Sequence, residues 1–337
     1  MAAENRFRCL LGVNPDFSSS RIPALECLRL PPVAGETINL TNAFRARRVA
    51  GAVGRWLRGD ERRIFHGHSR AGLLVALWLR AAGERRVAAT VHCYGRQRWF
   101  YHWAARRLAG RIWWLTPGMK RYYGVSGADS WEDCVPACIP PGVAPARAGG
   151  RPPGGVRFGC VGALVPFKEW ELVLRALAEI PRAVPLRVVH AGCEDGSPES
   201  ARYAAWLRQV ASELGVADRI EWRGEVNAMA AFYAELDCLV IAAQREGCSV
   251  AALEAGAAGV PVLAADVMGN RDLLAAARLG WLFPAGSAGA LAERMIALAT
   301  TAELAGWQRD EAALRPFTAP AVAGKLVELY GRLRQGN

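Results

Sequence analysis

An alternation of strand, glycine turn and helix between residues 239 and 265 constrains the fold of this chain more than any other feature. The apolar run Leu239–Ala243 predicts a strand, Gly247-Cys248-Ser249 a turn into a helix, and Val260–Ala265 a second strand. Unpaired backbone N–H groups and the helix dipole at such a helix start favour an anion. Because Glu246 and Glu254 flank the turn, the segment predicts a phosphate pocket bordered by two carboxylates.

Both halves of the chain alternate apolar strands with amphipathic helices, which is the pattern of doubly wound α/β domains. In the second half we expect strands at Val156–Gly162, Leu186–Ala191, Ile220–Arg223 and Gly280–Pro284, and helices at Glu169–Glu179, Glu199–Leu214, Met229–Leu236 and Ala288–Leu298. In the first half we expect strands at Phe7–Val13, Ile64–Phe65, Val87–His92, Ile112–Thr116 and Val135–Ile139, and helices at Ala43–Leu57, Ala71–Ala82 and Trp99–Ala109.

The chain length and one linker predict two domains. A chain of 337 residues is long for a single core and comfortable for two. Residues 140–155 are rich in proline and glycine and poor in core residues, as linkers are. We therefore predict an N-terminal domain over residues 1–145 and a C-terminal domain over residues 155–315.

The excess positive charge lies in the first half of the chain. Residues 1–150 hold 23 lysines and arginines against 10 acidic residues, whereas the remainder holds 19 against 21. Seven of the twelve tryptophans also lie in residues 1–150, several of them beside arginines. Arginine next to amphipathic rings is typical of a protein that binds an anionic membrane surface. The alternative is an arginine-rich composition with ordinary core tryptophans.

Several functional classes lack their signals in this sequence. No apolar run is long enough to span a bilayer and no signal-peptide pattern opens the chain, so we expect a cytoplasmic protein. The nine cysteines are scattered and fit reduced, buried residues better than disulfides or a zinc site. The basic half carries no nucleic-acid-binding signature, and no DxD, P-loop or G-x-S-x-G motif is present. We expect no metal, no cofactor and no nucleic-acid partner.

The segment from residue 246 to residue 271 resembles the donor-binding region of the retaining family 4 glycosyltransferases, which have the GT-B fold. That family reads roughly E-G-x6-E-A-x-A-x-G-x-P-V, followed by G-N-R-E; its paired glutamates are the E-x7-E motif. The matching residues are Glu246, Gly247, Glu254, Ala255, Ala257, Gly259, Pro261, Val262, Gly269, Asn270 and Arg271, with Asp272 in the place of the last acid. The resemblance implies two Rossmann-like domains facing a cleft, with the terminal helix 316–337 packing back on the N-terminal domain.

The resemblance also implies roles for the donor-binding residues. Glu254 would hold the ribose hydroxyls of a nucleotide sugar, a UDP- or GDP-sugar, and Glu246 would face the transferred sugar. The backbone N–H groups of Gly247, Cys248 and Ser249 would lie near the diphosphate.

The segment 161–168 resembles the V-G-R-L-x-x-x-K motif, in which an arginine and a lysine neutralise the diphosphate. Gly162 and Lys168 match that motif, and the Lys168 ammonium could stabilise the leaving group. Ala163 stands where the family has its arginine. Another cation would then be needed, and Arg245 and Arg271 are the candidates.

Three residues of the first half would lie in the cleft. Thr90-Val91-His92 ends an apolar strand like the family's T-x-H, whose histidine lies beside the reacting sugar. His68, in a segment resembling V-H-x-H, and Asn14, which follows the first strand, are candidates for acceptor binding, as is Arg271 of the second half.

The resemblance thus implies a metal-independent, retaining glycosyltransferase with a glycan or lipid-linked acceptor, such as a lipopolysaccharide or another cell-envelope glycan. His92, Lys168 and Glu246 would be its catalytic residues. The basic N-terminal half suggests peripheral binding to the inner face of the cytoplasmic membrane. Two alternatives stay open: a catalytically silent relative that binds a sugar nucleotide or a protein partner, and a sugar phosphorylase on the same fold.

Overall fold

The chain forms two compact units. The computed structural model describes residues 10–13, 26–30, 38–127, 129–143 and 155–335. One unit comprises residues 1–136 and 322–337, and the other comprises residues 137–321. The assignment of the predicted domains 1–145 and 155–315 to acceptor and donor binding stays a prediction.

The described residues of unit 1 form two parallel sheets, of two and of three strands, with helices between the strands of the larger one. Its strands are β1 (Leu10–Val13), β2 (Glu26–Arg29), β3 (Phe65–Gly67), β4 (Val87–Val91) and β5 (Ile112–Trp114). Its helices are α1 (Leu40–Arg58), α2 (Arg70–Ala81), α3 (Arg98–Leu108) and α4 (Pro117–Tyr123). The larger sheet has the order β3-β4-β5, and β4 and β5 are buried along their whole length. Full burial explains why these strands read as continuous apolar runs.

The strand predicted at Val135–Ile139 does not form, and that prediction was wrong. Only isolated bridges occur there, from Cys134 to Trp114 and from Ile139 to Thr318. Pro136 lacks a backbone N–H and restricts the residue before it, so a sheet ladder cannot continue through this segment.

The last helix extends from Ala319 to Gln335, and from residue 322 onwards it belongs to unit 1. The Tyr330 hydroxyl lies 2.6 Å from His66 Nδ1, and the Lys325 ammonium donates to the Trp131 carbonyl at 2.5 Å. Val322, Leu329 and Leu333 are buried. The amphipathic pattern of this segment therefore corresponds to an apolar face that is covered within the unit.

Unit 2 is built on one six-stranded parallel sheet of order β11-β10-β9-β6-β7-β8. Its strands are β6 (Val156–Val161), β7 (Leu186–Ala191), β8 (Ile220–Trp222), β9 (Cys238–Ile241), β10 (Val262–Ala265) and β11 (Gly280–Phe283). Its helices are α5 (Trp170–Glu179), α6 (Pro198–Glu213), α7 (Met229–Ala234), α8 (Val250–Ala257), α9 (Met268–Ala277), α10 (Ala288–Thr300), α11 (Glu303–Gly306) and α12 (Glu311–Leu314), and the last helix, α13 (Ala319–Gln335), begins in this unit. The predicted α/β class with parallel sheets is confirmed.

The strand order places the predicted donor residues at one edge of this sheet. Strands β6, β9 and β10 are adjacent and parallel, so their carboxyl ends lie side by side. The loops that follow them carry Gly162 to Lys168, Glu246 to Ser249, and Asp266 respectively. This edge is where open α/β sheets bind their ligands.

None of the helices in the described part of the chain is both long and apolar enough to cross a membrane.

Candidate functional site

The loop after β6 turns sharply and brings Lys168 back over the strand end. Gly162 has a φ of 145°, a conformation that residues with a side chain rarely adopt. A Cβ at Gly162 would lie 3.6 Å from Lys168 Cε, so the lysine stem passes beside this glycine. The Trp170 indole N–H donates to the Ala163 carbonyl at 2.9 Å, and the Leu164 N–H donates to the Cys193 carbonyl at 2.9 Å. These bonds hold the loop between the ends of β6 and β7.

The loop after β9 ends at a capped helix. Ser249 is 5% exposed, and its hydroxyl accepts from the Ala252 N–H at 3.2 Å, which caps α8. Cys248 is 7% exposed, so this turn is packed rather than solvated. The start of α8 therefore lies at the carboxyl edge of the sheet, as the sequence predicts.

Gly269, in the first turn of α9, fits closely against this loop. A Cβ on Gly269 would lie 1.9 Å from the Glu246 carbonyl oxygen and 2.6 Å from that of Gly247. Only a residue without a side chain allows α9 to approach the loop so closely. Gly269, the glycine of the G-N-R segment, is thus required for α9 to pack against the Glu246 loop.

Lys168 and Glu246 form an ion pair at the sheet edge. The Lys168 ammonium donates to Glu246 Oε2 at 3.1 Å, and the two side chains are 25% and 15% exposed. Two predicted site residues that are 78 positions apart in the sequence therefore meet. The pair carries no net charge. Lys168 can therefore donate hydrogen bonds to an approaching phosphate, but its positive charge is already balanced by Glu246.

Glu254 contacts a residue that sequence reasoning missed. The Tyr233 hydroxyl donates to Glu254 Oε2 at 2.7 Å. Burial, and then the neighbouring carboxylate, raise the pKa of Tyr233 above its ordinary range. Tyr233 is fully buried on α7, so it holds the Glu254 carboxylate in place from the inside of the unit. Nothing in the sequence around Tyr233 indicates this contact.

The two arginines considered as substitutes for the arginine absent at Ala163 differ in their surroundings. Arg271 forms a bidentate pair with Asp266, with both N–O distances at 2.8 Å. Arg245 is exposed. Burial raises the pKa of the nearby Glu169, and the charge of Arg245 is a smaller, opposing cause. Arg271 is thus engaged by a carboxylate, and Arg245 is the more available of the two cations.

An open cavity of about 420 Å³ lies beside the Lys168 loop. Its lining comes from the segments after β6 and β7, together with Arg245: Val165, Pro166, Phe167, Glu169, Asp195, Ser197, Glu199, Ser200 and Arg245. This volume is within the range of small-molecule sites.

In unit 1, three histidines cluster at the ends of β3 and β4. His68 Nδ1 lies 3.0 Å from His92 Nε2, and the rings of His66 and His68 have centroids 3.9 Å apart. His66 Nε2 lies 2.7 Å from the Thr90 hydroxyl. Burial, with the neighbouring histidines as a smaller cause, lowers the pKa of His66 to about 2 and that of His68 to about 4. Burial also lowers the pKa of His92, so the cluster is uncharged at neutral pH.

The predicted site residues thus fall into two groups. Gly162, Lys168 and the residues from Glu246 to Ser249 lie together in unit 2, whereas His68 and His92 pair in unit 1. Asn14 lies outside the described residues. The described part of the chain contains no group of three or more histidine, cysteine, aspartate or glutamate residues able to hold a metal ion. The roles of these residues stay predictions.

Part of the sequence matches a known family. Residues 155–301 match the family model described as glycosyl transferases group 1. A D-inositol 3-phosphate glycosyltransferase of Stackebrandtia nassauensis is 30% identical over 209 residues, which are 58% of this chain and 46% of that protein. The enzyme of the same name from Mycobacterium marinum is 35% identical over 112 residues, 32% of this chain and 23% of that protein. The chain therefore aligns with less than half the length of these relatives.

Solved structures resemble the whole chain. Anabaena Alr3699/HepE in complex with UDP has a TM-score of 0.73 at 16% identity, covering 98% of this chain and 93% of that one. The sucrose-phosphate synthase of Thermosynechococcus elongatus has a TM-score of 0.73 at 18% identity, covering 97% and 88%. At such identities the likeness concerns the fold. We conclude that the chain has the GT-B fold and that its residues 155–301 match the glycosyl transferases group 1 family.

Proposed function

We propose that this protein is a glycosyltransferase that moves a sugar from a nucleotide diphosphate donor, bound by unit 2, to an acceptor bound by unit 1. The observation that carries the proposal is the Lys168–Glu246 pair, which lies beside the capped start of α8 in the segment that matches the glycosyl transferases group 1 family. The names of the relatives, which are glycosyltransferases, and the UDP bound in HepE support a sugar nucleotide as the donor. A UDP-sugar or a GDP-sugar is the proposed co-substrate, with no further cofactor.

The arrangement in unit 2 suits a diphosphate leaving group. Backbone N–H groups at the start of α8 are donors for phosphate oxygens, and the helix dipole favours their charge. The Lys168 ammonium, held by Glu246, would stabilise the charge that develops when the bond from sugar to phosphate breaks. Glu254 would accept from the ribose hydroxyls while Tyr233 fixes its carboxylate.

We further propose that transfer retains the anomeric configuration and needs no metal ion. The diphosphate would take the proton of the acceptor on the face it leaves, so catalysis would rest on positioning and on leaving-group stabilisation. His92 would face the reacting sugar from unit 1. Turnover that persists in excess EDTA would support a metal-independent reaction, and turnover restored only by a divalent cation would contradict it.

The acceptor is proposed to be a glycan or a lipid-linked glycan of the cell envelope, such as lipopolysaccharide. A lipopolysaccharide outer core galactosyltransferase, WaaB, has a TM-score of 0.69 to this chain at 16% identity, a likeness of fold that does not identify an acceptor. The basic first half of the chain supports a cytoplasmic protein that binds the inner face of the membrane.

A second candidate function is a catalytically silent relative that binds a sugar nucleotide. Three observations favour it: Ala163 stands where the resembled motif has an arginine, Asp266 forms an ion pair with Arg271, and Glu246 forms one with Lys168. A site with this little net positive charge would bind a diphosphate less tightly and would stabilise its departure less well.

A screen of donors separates the two candidates. The midpoint temperature of thermal unfolding should rise in the presence of a UDP-, GDP- or ADP-sugar that binds. A ligand of the folded state stabilises it according to its concentration and affinity. Incubation with that donor should then release the nucleoside diphosphate, and product should form with a glycan acceptor.

Variants make the outcome specific to the site. Lys168→Ala and Glu246→Ala should both abolish turnover, while Arg182→Ala, which removes an exposed ion pair with Asp218 in the same unit, should leave it unchanged. A donor that binds but is neither hydrolysed nor transferred would favour the silent relative. The absence of any shift with all three donors would contradict both candidates.

A further inference from the structure

Unit 1 exposes an unusual set of large apolar side chains. In the described residues, Leu40 is 80% exposed, Phe44 65%, Trp99 72% and Trp103 42%. Leu40 and Phe44 are four residues apart in the first turns of α1, and Trp99 and Trp103 are four residues apart in the first turns of α3. Residues at this spacing lie on one face of a helix, so each helix presents an apolar pair to solvent.

The starts of the two helices lie close together. The Gln97 side-chain amide, just before α3, donates to the Ile38 carbonyl, just before α1, at 3.3 Å. Helix α1 also packs on α2, where the Trp78 indole N–H donates to the Ala43 carbonyl at 2.8 Å. The four exposed side chains (Leu40, Phe44, Trp99 and Trp103, here called the apolar patch) therefore belong to one end of a single helical layer.

That end coincides with the edge of the sheet that carries His68 and His92. Helix α2 begins two residues after His68, and α3 begins a few residues after His92. The apolar patch therefore lies at the carboxyl edge of β3 and β4, the edge where the acceptor is proposed to bind.

The surroundings of the patch are positively charged. Residues 38–59 and 85–128 contain fourteen arginines and lysines and no aspartate or glutamate. Of these cations, Arg111 and Lys120 are buried, and Arg86 and Arg121 form ion pairs with Glu84 and Asp129. Arg45, Arg48, Arg96 and Arg98 are exposed next to the patch in the sequence, and the Arg107 guanidinium lies over the Trp103 ring, 5.5 Å from its centroid. Tryptophan rings with arginines around them match the headgroup level of an anionic bilayer.

We propose that the apolar patch docks unit 1 onto a membrane surface of anionic phospholipid. Leu40, Phe44 and the two tryptophans would enter the headgroup layer, while the arginines would meet lipid phosphates. A second copy of the chain fits poorly as the occupant, because facing copies would bring the exposed arginines beside the patch, Arg45, Arg48, Arg96 and Arg98, against each other. This inference gives the proposed peripheral location a defined surface, and its test needs no transferase activity.

Flotation with vesicles tests the proposal. The full chain should float with vesicles of phosphatidylglycerol and phosphatidylcholine, bind several-fold less at high salt, and bind weakly to vesicles of phosphatidylcholine alone. Trp99→Ser and Phe44→Ser should each lower the partition coefficient roughly ten-fold. Arg45→Gln and Arg48→Gln should each lower it about five-fold, on the anionic vesicles only. Trp206→Ser, which removes a 40% exposed tryptophan of unit 2, should leave the partition coefficient unchanged.

Two results would overturn the proposal. One is no flotation with anionic vesicles, and a dimer disrupted by Trp99→Ser would then identify a second copy as the occupant. The other is an equal loss of vesicle binding in Trp206→Ser. Binding of UDP, measured by calorimetry in each patch variant, should stay unchanged. Loss of vesicle binding with UDP binding intact therefore tests the patch separately from the proposed donor site, and failure of UDP binding in the unaltered chain would concern the proposed function alone.

Discussion

The Lys168 ammonium and the Glu246 carboxylate lie 3.1 Å apart at the carboxyl edge of the unit 2 sheet, each partly shielded from solvent. Neither side chain is therefore an isolated charge in the protein without ligand. Glu246 positions the lysine that would contact the diphosphate, and the lysine in turn balances the carboxylate that would face the sugar. Changing one member of the pair consequently alters the electrostatics of the other.

Glu246→Gln should separate diphosphate binding from sugar transfer. Removing the carboxylate leaves Lys168 as an uncompensated cation, so the affinity for UDP should rise about three- to ten-fold. The transfer rate should fall by roughly a hundred-fold, because the ammonium is no longer held and no carboxylate faces the sugar. Calorimetry with UDP and a transfer assay measure the two effects. Parallel losses of both, with the fold intact by circular dichroism, would contradict this account.

Ala163→Arg should increase the positive charge at the donor site. The Ala163 side chain is half-buried, and its carbonyl, which accepts from Trp170, remains available in the variant. The guanidinium should raise the affinity for UDP about ten-fold. Ala163→Gln is the matched control, since it adds a long polar side chain without a charge. If the two variants bind UDP equally well, charge is not what this position lacks.

Gly269→Ala should displace the Glu246 loop, which packs directly against α9. The added methyl would overlap the Glu246 carbonyl, so either the loop or α9 must move, at a cost of about 1–3 kcal/mol in the free energy of unfolding. UDP binding should weaken with it. Gly324→Ala, in the last helix, meets no atom within 4 Å and should stabilise the protein by up to about 1 kcal/mol. Urea unfolding measures the free energy of unfolding of both variants. If that of Gly269→Ala is unchanged, the contact between α9 and the Glu246 loop is not rigid.

His190 should make unit 2 sensitive to acid. The side chain is 1% exposed between Trp170 and Trp222, and within the described residues neither ring nitrogen has a hydrogen-bond partner. Burial lowers its pKa from 6.5 to about 4. The unfolded chain therefore binds this proton more readily, so stability is fully present above pH 6.5 and falls as the pH drops towards 4.

Between pH 7 and pH 5 the loss should amount to about 2 kcal/mol from this group. His190→Phe keeps an aromatic ring between the two tryptophans and removes the titration. The difference in unfolding free energy between variant and parent should thus grow on acidification, since the carboxylates are the same in both. A constant difference across this pH range would show that His190 does not titrate in the way described.

Tyr330→Phe should weaken the attachment of the last helix within unit 1. The variant loses the hydroxyl that lies 2.6 Å from His66 Nδ1 and leaves a half-buried ring nitrogen without that partner. The free energy of unfolding should fall by about 1–3 kcal/mol. UDP binding should not change, because both residues belong to unit 1. Equal loss of UDP binding would indicate that the last helix also supports the donor site.

The sequence by itself determined most of the local structure and predicted which residues would lie at the ends of the strands. Periodicity predicted most strands and helices, because a strand buried on both faces must be apolar throughout and an amphipathic helix must repeat every three to four residues. The Gly247-Cys248-Ser249 turn predicted the start of α8, since a serine cap and the unpaired N–H groups that follow are local features. Lys168 and Glu246 were both predicted as site residues from their resemblance to family motifs and from their positions after strands.

Only the tertiary structure decided which of these residues meet. The order β10-β9-β6 brings Glu246 to Lys168 across 78 residues, α7 brings Tyr233 to Glu254, and the last helix brings Tyr330 to His66 across 264 residues. The tertiary structure also places Arg271 in an ion pair with Asp266. It leaves the side chains of Leu40 and Trp99 exposed to solvent. Propensity and periodicity act over a few residues, whereas these contacts depend on how strands are ordered and helices packed, which no local pattern encodes.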